Sequence, residues 1–145
     1  MSIYAASAFS FNYAATTPAW EIRTNATTRS SILEIGVTGV TAVSISLGLG
    51  TPAARGTVLP GYSFPLLPEE RTDGTSPSTT TICLAWQIPP TVPAQYFRRI
   101  FNIAGIGGGV IWTFARGLII PVNGSLVLWN IAAGPQLNTW IFAKE

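Results

Sequence analysis

A chain without histidine must do acid–base or metal chemistry with other groups, and here few are suitably placed. Histidine is the commonest metal ligand and the side chain that titrates near neutral pH. Of six carboxylates, only Glu69, Glu70 and Asp73 are clustered. Such a group could hold Ca²⁺ together with loop carbonyls, or serve as an acid–base pair. Adjacent side chains diverge on an extended backbone, however, and Arg71 sits among them, which fits a solvated loop apex. Cys83 is the single cysteine and stands among apolar residues in an alternating run, where a small packing residue is expected. A nucleophilic cysteine here would lack its usual activator. Thr79-Thr80-Thr81 has no partner base either. Gly105-Ile106-Gly107-Gly108-Gly109 looks superficially like a phosphate-cradling loop, but Val110 fills the sixth position and no Gly-Lys-Ser/Thr follows. It precedes a strand-like run, so a turn or bulge is expected. The sequence offers no catalytic, metal-binding or cofactor-binding set, and it reads as a non-enzyme with no cofactor.

Recognition chemistry has more material. Five Trp and four Tyr could build a sugar-binding platform. Trp86, Trp112 and Trp129 fall in register with aliphatic neighbours and are expected in the core. Trp20 and Trp140 stay open as platform candidates. Seven of the eight basic residues are Arg, scattered except for Arg98-Arg99, so the net charge of +2 leaves no electrostatic footprint for nucleic acid. Arg98, Arg99 and Arg116 are expected to pair with carboxylates or with carbonyls of a neighbour.

Positioning any of these groups takes a core, and 145 residues suffice for one domain, read as 1–145. Hydrophobic residues are 48% and charged residues 10%, with mean hydropathy +0.39. A folded monomer of this mass exposes roughly 7,000 Å², which fourteen charged side chains (eight basic and six acidic) cannot cover. Either Ser, Thr and Asn cover the surface or other chains bury it; we read the chain as a subunit. No run of 18 apolar residues exists, because Gly, Arg116 and Pro121 interrupt the most apolar stretch, so no spanning helix and no membrane partner are expected. The first eleven residues lack a basic residue and an apolar core, so no signal peptide is expected. The sequons at Asn25 and Asn123 are accordingly read as chance.

Alternation with period two runs through most of the chain. Val43, Ile45, Leu47 and Leu49 share one face; so do Leu33, Ile35 and Val37, opposite Ile32, Glu34 and Gly36. Ile82, Leu84 and Trp86 form a third set, Phe97, Arg99, Phe101 and Ile103 a fourth, and Val110, Trp112 and Phe114 a fifth. With Ile3–Tyr13, Trp20–Thr24 and Asn138–Lys144, this gives nine or ten short strands. The pattern predicts an all-β fold, a β-sandwich of jelly-roll type with long Pro-rich loops or arms.

Asn123-Gly124 between Leu118–Val122 and Ser125–Trp129 predicts a two-residue type I′ hairpin pairing Ile120 with Val127. Pro121 would then mark an edge strand. Both faces of that hairpin are apolar, so a loop or a neighbouring subunit must cover the face turned from the core.

Residues 50–78 hold five Pro and four Gly, and 88–96 read IPPTVPAQY. We read both stretches as extended intersubunit arms; the alternative is a loop folded over its own sandwich. The contact residues expected in the first arm are Tyr62, Phe64, Leu66 and Leu67. Pro89, Pro90 and Tyr96 follow in the second, and Pro121 lies on the edge strand.

The runs Ile32–Pro52 (ILEIGVTGVTAVSISLGLGTP) and Gly109–Asn130 (GVIWTFARGLIIPVNGSLVLWN) resemble the small head decoration, or cement, proteins of tailed bacteriophages. The likeness lies in pattern: a Leu-Glu-Ile-Gly strand, a Pro-rich middle and a Trp-rich close. It implies a β-sandwich on the capsid surface of a virion, made in the host cytoplasm. It further implies a homo-oligomer, expected to be a trimer, with the major capsid protein as partner and neither nucleic acid nor membrane bound. A carbohydrate-binding or adhesive module, or a tail or baseplate subunit, is the alternative.

Overall fold

Nesting is the organising feature of the chain in the computed structural model. The structure describes residues 2–9, 17–40, 45–69, 76–103, 108–131, 134 and 136–145, with the backbone alone at 45–46 and 100–103. Glu70, Arg71, Asp73, Val43 and most of the Gly105–Gly109 run lie outside the described residues, as does the end of the expected first strand. The described residues contain no helix.

Four strands lead in: β1 (Ile3–Phe9), β2 (Pro18–Arg23), β3 (Ser30–Gly39) and β4 (Ile45–Gly50). Five short ones follow: β5 (Thr57–Val58), β6 (Ser63–Pro65), β7 (Leu67–Pro68), β8 (Thr81–Cys83) and β9 (Trp86–Ile88). Four more lead out: β10 (Tyr96–Ile103), β11 (Gly109–Ile120), β12 (Ser125–Asn130) and β13 (Leu137–Lys144). The outer strands pair antiparallel from the middle outward, β4 with β10, β3 with β11, β2 with β12 and β1 with β13. The chain is thus one long hairpin, rolled so that β12 also pairs β4 and β13 also pairs β3. Two sheets result, ordered β11-β3-β13-β1-β7 and β10-β4-β12-β2-β8-β6. Successive long strands alternate between them, apart from β4 and β10, which flank the tip of the roll. This is the eight-stranded jelly roll expected from the alternation.

The core lies between the sheets. Leu47 and Leu49 of β4, Trp112 of β11 and Leu137 and Ile141 of β13 point inward as the period-two reading requires. On β3 the reading fails halfway. Glu34 pairs Phe142 but Ile32 pairs Ala143, so Leu33 is an extra residue in the ladder. That bulge puts Ile32 in the core beside Ile35 and Val37 and leaves Leu33 half-buried.

The Asn123-Gly124 hairpin is also corrected. β11 and β12 belong to different sheets, so Ile120 does not pair Val127. The turn starts one residue earlier, closed by Gly124 N–H on the Pro121 carbonyl at 2.9 Å. Asn123 takes φ +54°, at the third turn position, where a type II turn requires it. Thr24 holds this corner: its hydroxyl donates to the Pro121 carbonyl and accepts from Gly124 N–H at 3.0 Å. Pro121 therefore heads a corner between sheets. The edge position expected for its strand holds, since β11 ends the five-stranded sheet.

Candidate functional site

Residues 51–69 and 76–95 sit at the tip of the rolled hairpin, and their fate decides which surfaces remain for recognition. They fold onto their own sandwich. β7 joins the five-stranded sheet beside β1, while β8 and β6 extend the six-stranded sheet beyond β2. The step from β6 to β7 crosses from one sheet to the other, and Leu66 at that step is fully buried. It fills the core between the sheet edges, so it has no surface to give a neighbour. Phe64 and Leu67 on either side point outward, 46% and 54% exposed, and Tyr62 is exposed beside them. Phe64, Leu67, Pro65 and Ala5 line a shallow groove of about 520 Å³. One closed edge thus carries the apolar side chains expected of the first arm, minus Leu66.

The second Pro-rich stretch lies over the outer face of the six-stranded sheet. Its Thr91 binds Ala54 through N–H on carbonyl at 3.1 Å and accepts the Ala54 N–H at 2.9 Å, tying the two stretches together. Pro90 is buried against Gly56, so it too leaves the set of surface contacts; Pro89 stays exposed. Tyr96 is half-buried with its ring over Gly48, and burial pushes its phenol up, partly offset by the Arg99 guanidinium. Below the β5–β9 ribbon, Glu21 is fully buried and accepts from Arg23 at 2.6 Å and from the Trp86 indole at 3.0 Å. Arg23 also donates to the Gly56 carbonyl. Trp86 therefore anchors the ribbon to the sheet and is not part of the core between the sheets. Burial likewise pushes the neighbouring Cys83 thiol up, against the pull of Ser63 and Arg23. Val127 and Trp129 are covered on this face. The cover that an apolar β12 demands is thus the chain's own insertion.

The opposite edge has no such cover among the described residues. β10 and β11 end their sheets there. Phe97 on β10 and Ile111 and Ile119 on β11 are 49%, 57% and 63% exposed, and the Arg98 guanidinium lies 5.6 Å from the Phe114 ring centroid. A 12-residue strand with open hydrogen-bonding groups and apolar side chains is a template for another chain.

The outer face of the five-stranded sheet holds the last feature. Facing residues run Ile111–Gly36–Trp140–Ser7 across β11, β3, β13 and β1. A Cβ on Gly36 would stand 1.9 Å from Trp140 Cε2, so the indole lies across the glycine backbone. Its Nε1–H donates to Glu34 Oε1 at 3.0 Å. Trp20, the other platform candidate, is fully buried in the core. Of the remaining aromatics, Trp112 is buried in the core, as expected, and Trp129 is buried on the outer face. A glycine inside an alternating strand is the sequence signal of such a close approach, and Gly36 carried it.

Among the described residues no group of three or more His, Cys, Asp or Glu is placed to hold a metal ion. Among the same residues no helix is long and apolar enough to cross a membrane. The fold defines the class: an eight-stranded jelly-roll sandwich, extended by short strands at one edge and, among the described residues, ending in β10 and β11 at the other. Comparison with protein-family models, curated proteins and solved structures finds no match for the chain.

Proposed function

We propose that this chain is a structural virion protein, a capsid decoration or cement subunit that stabilises a phage head through contacts with its own copies and with the major capsid protein. One observation carries the reading: the sandwich caps one edge with its own strands and leaves the other edge open and apolar. Two different apolar patches on opposite edges suit head-to-tail joining, in which the Phe64–Leu67 flank of one copy meets β10 and β11 of the next. Head-to-tail contacts close into rings when the rotation allows, and a trimer is the expected ring. The small share of charged residues supports the same reading, because little of this surface is built to face water alone.

Sedimentation at micromolar concentration tests the assembly. The wild type is expected to run as a trimer or another small closed oligomer. Ile119→Lys, or Phe64→Ala with Leu67→Ala, should give a folded monomer. A wild-type monomer at that concentration would falsify the reading. Virion membership has a separate test: genes for a major capsid protein and a portal should flank this one, and a neighbourhood without either counts against it.

A further inference from the structure

We infer that the outer face of the five-stranded sheet carries a binding site for a neutral pyranose sugar, centred on Trp140. The indole lies across Gly36 with one ring face on the sheet, so the other is turned away from it. The Glu34 carboxylate holds the indole N–H and fixes the ring's orientation in its plane. A fixed flat aromatic costs little conformational entropy on binding, and its face accepts the C–H face of a sugar ring.

On the β1 side and toward the start of β13, several of the groups beside it are polar and short. Along β13 the side chains alternate cleanly, so Asn138 stands on the same face two residues from Trp140. Thr38 is opposite Asn138 on β3, and Ser7 is opposite Trp140 on β1. Amide, hydroxyl and carboxylate groups around one aromatic face suit vicinal hydroxyls, which both donate and accept. Beside the indole, Ser7, Phe9, Asn138 and Thr139 line a dent of about 390 Å³. That lies at the small end of ligand pockets, roughly 300–1,000 Å³. Phe9 is 47% exposed at its rim, opposite Asn138, and offers a second apolar wall. The carboxylate of Glu34 disfavours acidic sugars, so the ligand is a neutral pyranose. Phe142, next on the same face of β13, and Ile111, opposite Gly36, give apolar flanks, while the polar groups beside the indole suit a sugar's hydroxyls. The inference stands apart from the capsid reading, since no contact between copies enters it.

The test is a glycan array probed with the full chain, carrying neutral terminal hexoses and N-acetylhexosamines beside sialylated and uronic-acid glycans. The best neutral hit is then titrated as its methyl glycoside, following indole N–H resonances by NMR. The Trp140 resonance is assigned by its loss in Trp140→Phe. We expect retention of at least one neutral glycan, a shift of the Trp140 resonance and weaker binding to acidic glycans. Trp140→Ala should weaken binding by about tenfold or more. Asn138 is exposed, so Asn138→Ala keeps the fold intact and should weaken binding several-fold. Three results overturn the inference. They are no retention of any neutral glycan, binding that survives Trp140→Ala unchanged, and loss of an oligomer in both variants without glycan binding by the wild type.

Discussion

Leu66→Ala tests whether the insertion belongs to the sandwich or only lies near it. Leu66 and Leu67 are adjacent and chemically identical, yet one is fully buried and the other 54% exposed. Truncating a fully buried leucine removes its transfer free energy and leaves a cavity, together about 2–5 kcal/mol. Truncating Leu67 removes about half of a transfer term of roughly 2 kcal/mol and leaves no enclosed cavity, so about 1 kcal/mol is expected. For a domain near 150 residues, each kcal/mol moves the melting temperature by about 2–4 °C. Leu66→Ala should therefore lower the melting temperature by about 4–20 °C, and Leu67→Ala by about 4 °C or less. The assay is thermal unfolding by circular dichroism at one fixed protein concentration, because association would otherwise shift the midpoint. Sedimentation of the same samples separates folding from assembly: Leu67 should matter more for the oligomer and Leu66 more for the melt. Equal drops, or a Leu66→Ala melt within about 2 °C of wild type, would mean that the insertion is detached in solution. The capped-edge argument would then fail.

Two further substitutions probe how the frame is held. Glu145 Oε1 accepts from the Ser78 hydroxyl at 2.6 Å and from Thr80 N–H at 2.9 Å; burial raises its pKa, but these bonds outweigh it and hold the carboxyl below its ordinary value. A depressed carboxyl contributes stability above its unfolded pKa and loses it as pH falls through the folded value. Glu145→Gln should thus lower the melting temperature at neutral pH and flatten its fall on acidification, which melts from neutral pH down through the carboxylate range will show. Gly117 has φ +76° in the bulge of β11 between Thr113 and Leu118, and an added Cβ would stand 1.8 Å from Ser31 Oγ. Gly117→Ala should cost about 1–3 kcal/mol in denaturant unfolding, and an unchanged midpoint would contradict the strained bulge.

What could be read from the sequence was whatever depends on local period. The alternation that sets Leu47 with Leu49, and Val110 with Trp112, on one face gave both the strands and their inner faces, and the strand expected at Asn138–Lys144 is found at Leu137–Lys144. Two kinds of information were not local. A bulge adds one residue and reverses every face beyond it, as Leu33 does to Ile32. A tight turn says that the chain reverses but not that its arms pair, and β12 found β2 and β4 instead of β11. The arms misled for a related reason. Pro-rich stretches with large apolar side chains read alike whether they clasp a neighbour or their own sheet. The crossing at Leu66 and the ladders of β7 with β1 and of β6 with β8 distinguish the two. For Trp140 the aromatic was visible in the sequence, but its partner Gly36 lies over a hundred residues away, so the platform formed by the two was not.

Capping one edge changes what the other can do. A jelly roll with two open edges can pair along either one, and it risks unlimited sheet extension. Here the insertion ends one side in the short strands β6 and β7, three and two residues long and joined by the crossing at Leu66, while the other side ends in the long strands β10 and β11. The proposed association is then directional, with the Phe64–Leu67 flank on one side and a long strand edge on the other. Direction is what allows a closed ring, because each copy offers one of each surface and the last copy meets the first. The same insertion hides the outer face of the six-stranded sheet under the β5–β9 ribbon and the Pro-rich crossing. Among the described residues none covers the outer face of the five-stranded sheet as the ribbon covers the other, and this is the face on which Trp140 lies. Under the proposed function and the sugar-site inference, the rolled hairpin uses its tip to sort its surfaces: one face for its own cover, two edges for copies of itself, and one face for a ligand.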